Sequence, residues 1–174
     1  MAASGAVAIE TQSNDPTLGV LIHAFARDVT SESILFHDRL TTHHSPPMGA
    51  VLRPATPGDA EQIADEGLDR QATWVLEVEN RIAATGGVLV HYNRPYGDIY
   101  MSVAERVRPR GLGRYLVQEL KRVCYENRRI PAARCNRDNI PSRKTLQKAG
   151  FVPCGHILVG TITRQSLVED HPAA

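Results

Sequence analysis

Apolar positions along the chain sort into short alternating runs and two helical repeats. Asp98-Ile99-Tyr100-Met101-Ser102-Val103 alternates and predicts a strand. Leu112, Leu116, Leu120 and Cys124, joined by Val117 and Val123, recur at helical spacing and predict a helix. Ala50–Ala55 reads as a short strand, after which Thr56-Pro57-Gly58-Asp59 caps a helix through Ala60, Ile63 and Ala64. Thr73–Val78 is a strand ending in a turn at Glu79-Asn80-Arg81. Ile82–Tyr92 is the next, with Gly86-Gly87 marking a bulge. Asn93–Gly97 is a turn. Ile130–Cys135 is a further strand, and Asn139 caps a helix to about Ala149 with Gly150 as its stop. Phe151–Ile162 is a long last strand.

Upstream the pattern is weaker. Residues 1 to about 16 read as a mobile tail. Val20, Leu21, Ala24 and Phe25 form one face of a short helix, and Ile34-Leu35-Phe36 a short strand. The expected division is therefore an N-terminal tail and extension over 1–49, partly disordered, and one domain over 50–174. Its fold class is α/β (α+β): antiparallel strands first, then a strand-helix-strand-helix-strand unit with a right-handed crossover.

Composition narrows the function classes. A chain of 174 residues buries one ordinary core. Its net charge of +1 gives no case for wholesale nucleic-acid or membrane binding. No apolar run approaches the roughly 20 residues of a membrane span, and no secretion signal precedes the first elements. The three cysteines, Cys124, Cys135 and Cys154, have no paired spacing, which suits reduced thiols in a cytoplasmic protein and argues against zinc. His43-His44 invites a metal reading, but neighbours on an extended chain point opposite ways, so no metal is expected.

The chemistry concentrates between the alternating run and the helix, in Val103–Leu116. The two glycines, Gly111 and Gly113, let the backbone approach a ligand closely. The first N–H groups of the new helix favour an anion, and Arg106, Arg108, Arg110 and Arg114 add positive charge. This is a phosphate site by its physics. It is not a P-loop, since Gly-x-x-x-x-Gly-Lys-Ser/Thr is absent. It is not the dinucleotide fingerprint, whose third glycine would fall at Leu116.

Arg108-Pro109-Arg110-Gly111-Leu112-Gly113 resembles the Gln/Arg-x-x-Gly-x-Gly/Ala signature of the GNAT superfamily of acyl-CoA-dependent N-acyltransferases. Asn139-Ile-Pro-Ser142, a helix, then Gly150-Phe151 resembles that family's second motif. Together the two anchor a resemblance over roughly Val51 to Ile162. It implies a twisted mixed sheet with helices on both faces and a splay between its fourth and fifth strands, where acetyl-CoA lies. It implies that the Arg108–Arg114 loop holds the pyrophosphate, that the main chain of Met101, Ser102 and Val103 pairs with the pantetheine arm, and that Asn139, Ser142 and Arg143 lie near the same cosubstrate. The family reaction needs no metal: an amine attacks the thioester directly in a ternary complex. A base must first take the ammonium proton, and a backbone N–H near Val103 would stabilise the developing charge.

The sequence departs from the family in two places. The tyrosine that many members carry four residues after the second-motif serine is Leu146 here. The proton-transfer candidates are Asp98 and Glu105 as base, with His91 and Tyr92 behind them, and Cys135 as acid. Tyr115 and Tyr125 read as packing or surface residues. Second, only Gly58–Gln71 is available for helices that wall the acceptor site, and little chain follows Ile162 for a final strand. Residues 17–45 replace that wall or edge, or a partner subunit does, as in a homodimer. The implied function is acetyl transfer to a small amine or a protein amine, with no nucleic acid or membrane partner. The alternatives are a non-catalytic acyl-CoA-binding or sensing module and an unrelated nucleotide-binding domain.

Overall fold

A computed structural model describes residues 8–13, 15–26, 28–40, 45–90 and 94–163. In chain order these form β1 (Ala8–Ser13), α1 (Pro16–Phe25), β2 (Asp28–Asp38), β3 (Ala50–Pro54), α2 (Ala60–Asp65), β4 (Trp74–Val78), β5 (Arg81–Leu89), β6 (Tyr96–Val103), α3 (Leu112–Glu126), β7 (Ile130–Asn136), α4 (Ile140–Lys148) and β8 (Phe151–Thr163). The chain divides into two compact units. The larger comprises Phe36–Arg134 and Ile140–Pro153; the smaller comprises the described residues of Met1–Leu35, Cys135–Asn139 and Cys154–Ala174. Among the described residues no helix is long and apolar enough to cross a membrane.

In the larger unit the strand order is β7-β6-β5-β4-β3. β3, β4, β5 and β6 are successively antiparallel, and β6 runs parallel to β7. This is the predicted mixed sheet. The β4–β5 turn places Glu79 and Asn80 at φ 54° and 61°, the paired positive dihedrals of a hairpin that follows the sheet's twist. α3 buries Leu112, Leu116, Val117 and Leu120 completely. Its fit depends on Gly86 of β5, where a Cβ would stand 2.6 Å from the carbonyl oxygen of Tyr100 and 2.9 Å from Leu120 Cδ1. The glycine pair therefore marks close approach. The expected bulge there is absent, and the register break lies between Leu76 and Glu77.

At the start of α2, Thr56 donates to Asp59 Oδ2 from both its N–H (2.7 Å) and its hydroxyl (2.9 Å). Arg53 places both terminal nitrogens on the same carboxylate at 2.8 Å, which holds the Asp59 carboxyl well below its ordinary range. The helix stops at Asp65, short of Gln71, because Gly67 turns the chain at φ +63°.

At the other end of this unit, Lys121 of α3 is buried. Its ammonium meets Asp38 Oδ1 at 2.6 Å and donates to the carbonyl of Ala149 at 2.9 Å, 5.5 Å above the Phe151 ring. The Tyr125 hydroxyl donates to the second Asp38 oxygen at 2.7 Å.

The smaller unit places β8 between β1 and β2. β1 is antiparallel to β8, with Ala8 opposite Thr163 and Ser13 opposite Leu158. Residues 8–13, read as tail from their polar composition, are thus a strand. Asp15 caps α1 by accepting from Thr17 and Leu18, and Gly19 of α1 lies against Leu158. Both neighbours of β8, β1 and β2, belong to the same chain.

Candidate functional site

β6 and β7 pair from Tyr96↔Ile130 to Ile99↔Ala133, and beyond Ile99 the two strands part. The rest of β6 stays on β5, with Val103 opposite Ala84 and the Ala104 N–H donating to Ala83. By strand alternation Met101 and Val103 then direct their N–H and C=O groups away from β5, into the opening, while Ser102 directs its own toward β5. The fourth and fifth strands of the larger unit are therefore splayed.

After β6 the chain makes 3-10 turns through Glu105–Arg110, and α3 starts at Leu112. Gly111 joins them at φ +73°, where a Cβ would meet nothing within 4 Å. The N–H groups of Arg114 and Tyr115 return to the Gly111 carbonyl at 3.1 and 3.3 Å. Those of Leu112 and Gly113 precede this first bond, which leaves them as the donors of the helix start. At Gly113 a Cβ would lie 3.2 Å from Val103 Cγ2, 3.4 Å from Thr145 Cγ2 and 3.6 Å from Met101 Sδ. Glycine here brings the open end of β6, the first turn of α3 and the second turn of α4 together, so the two sequence motifs meet.

The arginines divide. Arg106 does not face the turn: its Nε donates to both oxygens of Glu66 and its Nη2 to the Ile82 carbonyl. This corrects the expectation that all four arginines charge the loop. Arg108 is exposed and 3.6 Å from Glu105, and Arg110 is exposed; Pro109 lies between them in the turn. Arg114 is half-buried, and its Nε is buried without a hydrogen-bond partner among the described residues. A cationic donor with no described partner, on the same helical turn as the Leu112 and Gly113 N–H groups, fits an anionic group.

Asp98 is 5 % exposed and accepts from Arg134 Nε at 3.1 Å. It shares one face of β6 with Tyr100 and Ser102. Glu105 is almost fully exposed. Ser142 and Arg143 are half-buried in the first turn of α4, and Leu146 is buried core where the family phenol would stand. In the smaller unit the Cys135 thiol is buried and directed at the carbonyls of Asn136 (3.3 Å) and Asn139 (3.5 Å). Asn139 immediately precedes α4, its N–H bonded to the Asn136 carbonyl. Tyr115 is packed inside, and burial with the Asp38 contact pushes the Tyr125 hydroxyl up to about 12. His43, His44, His91 and Tyr92 lie outside the described residues. Sequence reasoning gave no role to Tyr100 or Thr145. Tyr100 was visible only as an alternating strand residue, and Thr145 as a helix position three after Ser142.

Residues 37–151 match the model of the acetyltransferase (GNAT) family. No curated protein matches the chain. A GNAT-family acetyltransferase from Colwellia psychrerythraea superposes with TM-score 0.70 over 89 % of this chain at 13 % identity; this chain spans 65 % of its length. A putative GNAT acetyltransferase from Novosphingobium aromaticivorans gives 0.65 over 90 % of this chain and 74 % of its own, at 12 % identity. A tandem GNAT protein from the clavulanic acid biosynthesis pathway gives 0.66 over 97 % and 65 %, at 15 % identity.

Proposed function

The chain belongs to the acetyltransferase (GNAT) family, and on that premise we propose that it transfers an acetyl group from acetyl-CoA to a primary amine by direct attack in a ternary complex. The observation that carries this reading is the start of α3, with Gly111 turned outward, the Leu112 and Gly113 N–H groups ahead of the first helical bond, and the Arg114 Nε buried without a partner among the described residues. These groups, with Arg108, Pro109 and Arg110 in the preceding turn, seat the pyrophosphate. Met101 and the Val103 carbonyl offer strand hydrogen bonds to the pantetheine amides, with Ser102 between them; Ser142 and Arg143 line the arm further on, and Asn139 is assigned to the cosubstrate by the family motif alone. The bound thioester supplies an activated acyl carbon and a thiolate leaving group.

The chain supplies proton transfer and charge stabilisation. The Val103 N–H faces the opening and serves the developing oxyanion. Glu105 lies two residues beyond it, whereas Asp98 is five residues back, about 17 Å along an extended strand. Asp98 is also held by Arg134. Glu105 is therefore assigned the base, acting directly or through water, and Asp98 a structural carboxylate. Cys135 is the remaining acid candidate, although its thiol is turned onto two carbonyls. The acceptor is a small amine or a protein amine, and free cysteines suit a cytoplasmic setting.

The test is thiol release from acetyl-CoA against an amine panel, repeated for Glu105→Gln, Asp98→Asn and Cys135→Ser. Glu105→Gln should lower kcat by about 10²-fold or more. Equal activity in Glu105→Gln and wild type, with Asp98→Asn inactive but folded, would reverse the base assignment. Leu146 in the phenol position favours a second reading, a non-catalytic acyl-CoA sensor; CoA binding without turnover on any amine would establish it.

A further inference from the structure

The segment from Glu66 to Thr73, which joins α2 to β4, is fastened at two points to β6 and the turn after it. At one end Arg106 Nε donates to both Glu66 oxygens at 2.9 and 2.8 Å, its Nη2 reaches the Ile82 carbonyl at 3.2 Å, and Arg81 adds a second cation to Glu66 at 3.0 Å. At the other end the Tyr100 hydroxyl donates to the Gln71 carbonyl at 3.2 Å. The Tyr100 ring crosses Gly87, where a Cβ would stand 2.6 Å from the hydroxyl and 2.8 Å from Cε1. Burial raises the Tyr100 pKa, so the phenol stays a donor at neutral pH.

The faces of β6 explain what this arrangement does. Met101 and Val103 lie against the first turn of α3, which occupies that face. A second substrate reaching the open half of β6 comes over the opposite face, that of Asp98, Tyr100 and Ser102. That is where the 66–73 segment runs. Arg106 belongs to the Glu105–Arg110 turn, yet its Nε and Nη2 are engaged by Glu66 and the Ile82 carbonyl.

We propose that Arg106 and Tyr100 are positioning residues that couple the anion-binding turn to the 66–73 segment, so that filling the turn orders the border of the amine site. The inference rests on the acyltransferase reading above. Arg106 itself contacts no phosphate; it transmits the state of the turn through Glu66. Tyr100 fixes the far end of the same segment to the strand that lines the opening.

Hydrogen exchange with CoA alone as the probe tests this without knowledge of the acceptor. In the wild-type chain, CoA should slow exchange both in 105–114 and in 66–73. Arg106→Gln should bind CoA within about threefold of wild type and keep the protection at 105–114, but lose it at 66–73. Glu66→Gln should reproduce this without altering the turn, and Arg106→Lys should restore part of it. Tyr100→Phe leaves the ring over Gly87 and should release only the Gln71 end, so it reads the coupling even where Arg106→Gln folds poorly. A tenfold or greater loss of CoA affinity in Arg106→Gln would make Arg106 a phosphate ligand and overturn the proposal. Protection at 66–73 that is absent in the wild type, or undiminished in the variants, would overturn it too. No CoA binding by the wild type would remove the acyltransferase reading and this inference with it; binding without coupling removes the inference alone.

Discussion

Replacing Gly111 and Gly113 by alanine, one at a time, separates two uses of glycine in the loop. At Gly111 the added Cβ meets nothing within 4 Å, so the cost is in the backbone, held at φ +73°. An L-residue loses about 1–2 kcal/mol in that region, and the stiffer unfolded chain returns about 0.4–1 kcal/mol. The net is about 1 kcal/mol, or roughly 2–4 °C in Tm for a chain of this size. At Gly113 the backbone is ordinary, and the Cβ meets side-chain ends at 3.2, 3.4 and 3.6 Å. Val103 Cγ2 at 3.2 Å must yield by tenths of an ångström, the other two are at ordinary contact distance, and alanine gains up to about 1 kcal/mol of helix propensity. The net is near zero.

Ligand binding should separate the pair in the same order. The Gly111 Cβ projects into the open space where the pyrophosphate is assigned, so CoA affinity should fall at least about tenfold, or 1.4 kcal/mol. The Gly113 Cβ points inward, and its variant should bind within about threefold of wild type. Thermal melts and calorimetric titration with CoA read both quantities. Wild-type affinity in Gly111→Ala would refute the phosphate seat. A larger stability loss in Gly113→Ala than in Gly111→Ala would refute the geometric reasoning itself.

Arg114→Gln removes the cation whose Nε is buried without a partner among the described residues; Tm should hold within about 2 °C while CoA affinity drops about tenfold, and an unchanged titration would assign the donor elsewhere. Asp38→Ala strands the Lys121 ammonium and should cost about 3–5 kcal/mol, whereas Asp38→Leu with Lys121→Met should recover most of it, as urea midpoints will show. Asp59, held below its ordinary range by Arg53, has the lower pKa in the folded state. Its contribution is therefore fully present above about pH 4 and is lost as pH falls through the folded value, so Asp59→Asn should flatten the acid limb of stability against pH. A wild-type acid limb in that variant would remove Asp59 from the account.

The parts legible in the sequence are those whose signal is local. Strand β6 and helix α3 announce themselves by period, and the Thr56–Asp59 cap by residue type. Strand β1 is different: Glu10, Thr11, Gln12 and Ser13 carry no apolar alternation, and the strand exists through backbone bonds to β8. Gly86-Gly87 was readable as a departure from ordinary strand composition, but only packing distinguishes a bulge from a close approach. Arg106 sits in the basic run with Arg108 and Arg110, yet its partner is 40 residues upstream, so sequence proximity assigned it to the wrong task. Tyr100 illustrates the same limit, because alternation places a side chain on a face without naming what its hydroxyl touches.

The pairing of β1 with β8 also sets an order of events. Ser13 meets Leu158, so β1 can pair only after the 144 residues between these two partners have been made. Closing a loop of that length costs about 4 kcal/mol of chain entropy, recovered only after the intervening sheet has shortened the path. The β3–β6 meander and α3, built from near neighbours, should form first. The β1–β8 pairing should form late, and mutations in β1 should then speed unfolding while leaving the folding rate nearly unchanged.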